Sequence, residues 1–311
     1  MRQRTTILVV SLLGACASWA QQLPQLSQYR SNDYLYDPAV AGSRSLFEIR
    51  TAHRYQWVGI QDAPRTFMLS ATTPVGRRLG LGGFLFTDNV GPTRRSGFQV
   101  TFAYHLPITD QVKLSLSLSG GLVQFLVDGG KVTFHDPNEP VLDDQLRGEV
   151  LPDATFAFLL YHPKYWFGFT APQLLHNKVY FFDDQDGSLS TLARHYYAIG
   201  GYNWDLGEDI RLEPSFLLKY VSPVPPKVDV NLLLRYREMV WIGGSWRSND
   251  AIALMVGCWL KRTFQFGYSY DITTSGLSRY SGATHEVMLG ITFGKERPAP
   301  QVTPNAVQPV E

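Results

Sequence analysis

Cysteine is almost missing from this chain of 311 residues: there are two, and Cys16 lies within an N-terminal export signal. Cys258 then has no partner, which excludes an internal disulfide; on an apolar strand face it reads as a packed hydrophobe. No C-x-x-C exists, and His53, His105, His135, His162, His176, His195 and His285 never fall at metal-ligand spacing. Charge of one sign is missing too. The 28 Lys and Arg balance 27 Asp and Glu to a formal +1, which excludes the basic stripe that nucleic acid needs. After the signal no run of about 18 apolar residues occurs, so no membrane-spanning helix is expected, and helical periodicity is absent throughout. G-x-S-x-G is absent, leaving a nucleophile elbow without support. FDDQDG (182–187) puts Phe182 at the first ligand position of a calcium loop, so that motif fails. DPNEPVLDD (136–144) reads as a solvated loop, with a bound cation as the rival reading. His285 and Glu286 are adjacent on a strand and face opposite ways, so they form no acid–base pair. Neither catalysis nor a cofactor is expected.

What is present points to β-structure. Hydrophobic residues make up 44% and aromatic residues 13%, with 27 glycines, too apolar for a disordered chain and suited to closely packed strands. Residues 1–20 form the signal: Arg2 and Arg4, the apolar stretch Ile7 to Leu13, and Ser18-Trp19-Ala20 as a small-x-small cleavage site. The competing reading makes Leu13-Gly14-Ala15-Cys16 a lipoprotein box with Cys16 acylated. Period-two alternation predicts about fourteen strands, near 45–54, 66–74, 79–87, 96–106, 112–126, 151–161, 165–171, 194–204, 209–221, 227–236, 239–247, 250–260, 263–271 and 285–293. Most have the nine to eleven residues that a tilted strand needs to cross a bilayer.

The connections alternate. Those after even strands are short (VGRR, PITDQ, HPK, LGED, a turn at Arg237-Glu238, then KR), whereas 55–65, 88–95, 127–150, 172–193 and 272–284 are long. SPVPP and the turn near Ser248-Asn249 are short odd connections. A Greek-key sandwich has no reason to alternate in this way; an outer-membrane barrel with short periplasmic turns does. The faces agree. Leu114, Leu116 and Leu118 alternate with Ser115, Ser117 and Ser119, and Tyr268 and Tyr270 alternate with Ser269 and Asp271. The expected fold is therefore all-β: an antiparallel transmembrane β-barrel of about 14 strands over 45–293, apolar residues toward lipid and polar ones toward a wet lumen. In such a lumen arginine at Ser117 costs far less than at Leu116. Tyr104, Tyr220, Tyr236, Trp246 and Tyr270 suit interfacial girdles. The inward charges Glu48, Arg50, Arg54, Arg211, Glu213, Lys219, Asp229, Arg235, Arg237 and Glu286 read as a neutralising ladder, or else as the lining of a selective pore. Residues 21–44 are expected to plug or rim the periplasmic mouth, and the proline-rich 294–311 to trail into the periplasm.

Several stretches taken together resemble the PorP/SprF family: SQYRSNDYLYDPAVAGSR (27–44), RYQWVGIQDAPRTFMLSATTPVG (54–76), DNVGPTRRSGFQVTFAYHLPI (88–108), GFTAPQLLHNK (168–178), LEPSFLLKY (212–220) and GYSYDITTSGL…THEVMLGITF (267–293). The family has an Asn-Pro-Ala-Tyr-Ala-Gly run where this chain has Asp37-Pro38-Ala39-Val40-Ala41-Gly42, and its members commonly stop at the last strand. The resemblance implies an outer-membrane protein of the type IX secretion and gliding systems of Bacteroidota, Gram-negative bacteria. It implies as partners secreted surface proteins, particularly adhesins with a C-terminal sorting domain, and periplasmic parts of the secretion and motility machinery, beside outer-membrane lipid. Candidate partner-docking residues follow from these stretches: Asp37, Pro38 and Gly42 on the periplasmic side, Trp57, Val58, Gly59, Pro64, Gly91 and Pro92 in outward loops, and Tyr268, Tyr270 and Asp271 in the GYSYD strand. The rival reading of Trp57, Pro64 and Gly91-Pro92 is a loop cap over the lumen. For the whole chain the rival is a diffusion or uptake channel for small solutes.

Overall fold

The computed structural model describes residues 25–131, 146–175, 178–179, 190–191 and 193–294. The signal, the proline-rich tail and the loops 136–144 and 182–187 lie outside the described residues. The strands are β1 (Phe47–Tyr55), β2 (Arg65–Val75), β3 (Leu79–Val90), β4 (Thr93–Pro107), β5 (Lys113–Asp128), β6 (Leu146–Tyr161) and β7 (Tyr165–Ala171). They continue with β8 (His195–Tyr202, resumed at Trp204–Asp205), β9 (Ile210–Val221), β10 (Val224–Tyr236), β11 (Val240–Arg247), β12 (Ala251–Leu260), β13 (Phe264–Thr273) and β14 (Thr284–Phe293). A separate two-residue ladder joins Lys178–Val179 to Ser190–Thr191.

Each of the fourteen strands pairs antiparallel with the next, and β1 pairs with β14 from Phe47↔Phe293 to Tyr55↔His285. The sheet is thus a closed barrel, which leaves no edge for lipid to satisfy. Among the described residues no helix is long and apolar enough to cross a membrane. At one end the turns are tight; Arg237-Glu238 and Lys261-Arg262 take positive φ at both central residues, the conformation whose twist matches a two-residue hairpin. The other end carries the longer connections. One expected long loop is not there. DNVGP continues β3 to Val90 and turns at Gly91-Pro92 straight into β4; ladder pairing of Asp88 with Arg95 and Asn89 with Arg94 extends the hairpin beyond the point where the apolar alternation fades.

Alternation sorts the two faces. Leu118 is 61% exposed while Ser117 beside it is 3%. Tyr104, Tyr220, Tyr236, Trp246 and Tyr270 all point outward and are exposed, as girdle residues are.

The inner face is not wet, which corrects the expectation for Ser117. Residues 25–44 run through the lumen and bury Leu26, Tyr29, Tyr34, Tyr36, Ala39, Val40 and Ala41 against the wall. The segment folds on itself through two 3₁₀ turns, Asp33–Leu35 and Pro38–Val40. Asp37 caps the second, its Oδ1 accepting from the Ala39 amide at 3.0 Å, with Pro38 in the first position where its missing N–H costs nothing. Its lower end leaves no clearance. Gly42 has φ +74°, and a β-carbon on Gly80 would lie 1.9 Å from the Ala41 carbonyl oxygen. Only glycine fits wall and segment together there.

Candidate functional site

Toward the long-loop end, the inward charges close around the start of this segment. Arg54, 1% exposed, donates to Glu286 at 3.0 Å, Asp271 at 2.9 Å and the Ser27 hydroxyl at 2.8 Å. Glu286 also accepts the backbone amides of Ser27 and Gln28 at 2.8 and 2.9 Å. Ser27 Oγ donates to Asp271 at 2.5 Å and accepts from Arg247 at 2.9 Å. Arg247 continues to Asp250 at 2.9 Å and Asp229 at 3.5 Å, and Lys219 joins Asp229 at 2.8 Å and Gln25 at 3.2 Å. Six strands (β1, β9, β10, β11, β13 and β14) and the segment therefore share one alternating network of charges. Its carboxylates are held by bidentate or charge-assisted donors, the arrangement in which buried charge is tolerated.

Lower in the lumen the same pattern recurs. Arg44 bridges Asp33 and Glu48, Arg50 reaches Glu48 at 2.8 Å, Arg30 reaches Asp33 at 3.3 Å, and Arg235 holds Glu213 at 2.9 Å. Tyr34 and Tyr29 end in hydroxyl contacts with Thr101 and Ser215, and His105 Nε2 sits 2.8 Å from the Ala41 carbonyl. The neutralising ladder fits this geometry, with the addition that the segment supplies part of both signs. Arg211, 36% exposed, and Arg237, more than half exposed, stand apart at the tight-turn end with Asp205, Glu238 and Asp209.

The docking candidates separate into three groups. Asp37, Pro38 and Asp271 are buried, and Gly42 is pressed on Gly80, so none of these four presents a docking surface; they belong to the packing of the segment. The Asp37 carboxyl, outside the strands, is pushed well above the usual range by burial, the Ala39 amide offsetting only part. Its Oδ2 has no hydrogen-bond partner among the described residues and faces Gly168. Tyr268 and Tyr270 lie on the outer wall. Trp57, Val58, Gly59, Pro64, Gly91 and Pro92 converge at the long-loop end. There Val58 N donates to Ala283 O at 3.1 Å, Gly282 N to Val58 O at 2.7 Å, Gly91 N to Asp62 O at 3.0 Å, and Asp128 N to Pro92 O at 2.9 Å. Trp57 is half-buried with φ +49°, Pro64 is buried, and Val58 is 48% exposed. Backbone bonds thus stitch loops 56–64 and 274–283 and the Gly91-Pro92 turn into one rim.

The family described as type IX secretion system membrane protein PorP/SprF matches residues 18–291. The chain belongs to this family. It is an outer-membrane β-barrel of the type IX secretion system. No curated protein matches it. Among solved structures it is similar to the CymD monoaromatic hydrocarbon channel, at 11% identity and a TM-score of 0.54, over 86% of this chain and 93% of that one. Lesser likenesses are to the Ralstonia pickettii toluene transporter TbuX (9% identity, TM-score 0.49, 83% of this chain and 91% of that one) and to Omp33 of Acinetobacter baumannii (9%, 0.48, 81% and 100%). The first likeness supports the barrel fold of this PorP/SprF protein and nothing about what it handles.

Reasoning from sequence missed Ser27, Gln28, Arg30, Asp33 and Arg247 as partners of the luminal charges. A density of polar and tyrosine residues ahead of the first strand was the available signal: three tyrosines in 29–36 cannot stay solvated cheaply beside an enclosed wall.

Proposed function

We propose that this barrel is a non-catalytic holder of large secreted surface proteins, adhesins with a C-terminal sorting domain among them, and that it presents them at the long-loop end. One observation supports the reading above the others: residues 25–44 fill the lumen and spend its charges on themselves. A channel that sorts solutes needs those charges facing its path. The stitched rim is the other half of the reading. Val58 and its neighbours offer a fixed outer surface, and a partner bound there meets no loop-ordering cost. In this reading Trp57, Val58, Gly59, Gly91 and Pro92 form the docking rim with buried Pro64 shaping it from beneath, residues 25–44 serve as a plug, and the tight-turn end with the 294–311 tail meets the periplasmic machinery in a Bacteroidota outer membrane.

The test is surface proteomics of a deletion strain complemented with wild type or with Gln56-Trp57-Val58 replaced by alanines. The bonds of Val58 to residues 282 and 283 run through backbone atoms, so the variant barrel folds. The expected result is loss of a specific large surface protein on deletion and weakened display with the variant. Unchanged surface proteins alongside collapsed uptake of a nutrient would put the channel in its place.

A further inference from the structure

The GYSYD strand has an outer face that the lumen leaves unused. Register sets Arg65, Tyr55, His285 and Tyr270 side by side in one row across β2, β1, β14 and β13. Their chain neighbours Thr66, Arg54, Glu286 and Asp271 are buried inside, so alternation turns the row outward. Tyr268 OH meets His285 Nδ1 at 2.7 Å, which fixes the ring and leaves Nε2 as its remaining nitrogen. Tyr270 stands edge-on to the same ring at 5.3 Å, and the Arg65 guanidinium lies 5.9 Å from the Tyr55 ring centre. Above the row, loop 56–63 arches over to close a cleft of about 430 Å³ between itself and the wall. The roof is held by Gln56 N to Pro64 O at 3.0 Å and by the two Val58 bonds, so the cleft is preformed.

Two features separate this cleft from an ordinary aromatic girdle. Among the described residues Arg65 lines it, no Asp or Glu does, and Arg65 makes no ion pair. A neighbouring cleft of about 360 Å³ shares Arg65 but also carries Asp62 and Asp128, which offset most of the charge of Arg65, Arg94 and Lys131. The second feature is what lies beneath. One pleat down the wall the row runs Phe67, His53, Val287, Tyr268 and Val256, and the next runs Leu69, Thr51, Leu289 and Phe266, mostly apolar, about 7 Å per pair of residues. A cationic cleft is thus set on the rim of an apolar wall.

We propose that this cleft binds the phosphate of an outer-leaflet lipid. Arg65 takes the phosphate oxygens through charge-assisted hydrogen bonds, His285 Nε2 and the Tyr55 hydroxyl complete the donors, and the acyl chains descend over Val287, Leu289 and Phe266. The cleft shares Val58 and Gly59 with the docking rim, but the donors Arg65, His285 and Tyr55 are not rim residues, so the proposal does not rest on cargo presentation.

The experiment is native mass spectrometry of the purified full-length barrel in detergent, titrated with monophosphorylated lipid A and with the same lipid dephosphorylated. The wild type is expected to prefer the phosphorylated lipid by roughly tenfold or more, the size of one charge-assisted contact. The double variant Arg65→Gln/His285→Gln should lose that preference, and Arg65→Lys should keep most of it. Millimolar inorganic phosphate should leave the lipid bound. Equal binding of both lipids by the wild type, which needs no variant to fold, overturns the site. So does a double variant that discriminates as the wild type does. Displacement by inorganic phosphate overturns the lipid assignment in favour of a free anion. Surface-protein display is read separately, so failure of either idea leaves the other standing.

Discussion

Replacing Arg54 by methionine keeps most of the side-chain volume and removes the cation at the centre of the upper network. Arg54 is 1% exposed, and its two carboxylate partners, Asp271 and Glu286, are 1% and 0% exposed as side chains. After the change Glu286 keeps only the Ser27 and Gln28 amides, and Asp271 keeps the Ser27 and Ser269 hydroxyls and an Arg247 nitrogen at 3.7 Å. Removing one partner of a buried pair leaves an uncompensated charge and costs about 3–5 kcal/mol. The expected loss is therefore in that range, measured by urea unfolding in lipid vesicles with tryptophan fluorescence as the probe. Two comparisons isolate the cause. Arg237→Met removes a cation whose Asp209 pair is open to water, and it should hardly move the midpoint. The triple variant Arg54→Met/Asp271→Asn/Glu286→Gln removes the stranded charges as well and should recover most of the loss. An Arg54→Met barrel within about 1 kcal/mol of wild type, or a triple variant no better than the single, would refute the network as the element that seats the segment.

Three further outcomes follow from the segment in the lumen. Asp37→Asn should stabilise the barrel by an amount that grows with pH. The native carboxyl is raised above its unfolded value near 3.9, so between the two values the native state binds the extra proton, and the wild type loses stability as pH rises from about 3.9 up to the raised native value; unfolding free energies at pH 4 and pH 8 that show no widening gap would rule this out. Leu118→Arg should cost about 2–4 kcal/mol at the lipid face, and Ser117→Arg should also impair folding, because that site meets packed protein; heat-modifiable gel migration equal to wild type for Ser117→Arg would mean a wet lumen. Gly80→Ala should cost roughly 1–3 kcal/mol by driving a methyl into the Ala41 carbonyl, read by the same urea titration, and an unchanged midpoint would remove the close contact.

The strand set was written locally. Period two puts Leu116 and Leu118 on one side and Ser115, Ser117 and Ser119 on the other whatever else the chain does, and all fourteen predicted segments form strands. The alternation of short turns with long connections then decides closure, because lipid tolerates no open edge. PorP/SprF membership was equally legible, since it rests on ordered stretches from 27 to 293 and not on any contact. What sequence left undecided was the destination of the luminal face. Polarity along a strand says that Arg54, Asp271 and Glu286 turn away from lipid; it does not say whether they meet water or protein. Only the folded chain brings Ser27 to within hydrogen-bond reach of residues 244 and 259 positions away, and so closes the expected ladder of charges into a network shared with the segment. The same limit explains the docking residues. Asp37 looks like a surface polar residue and Asp271 like a luminal one; Asp37 is buried because the wall at Gly168 packs over it, and Asp271 because Ser27 and Arg54 arrive beside it. The Gly91-Pro92 turn looked like a loop because its length depends on cross-strand pairing. Periodicity is a local property of the chain, whereas burial of a charge depends on which distant group comes to neutralise it.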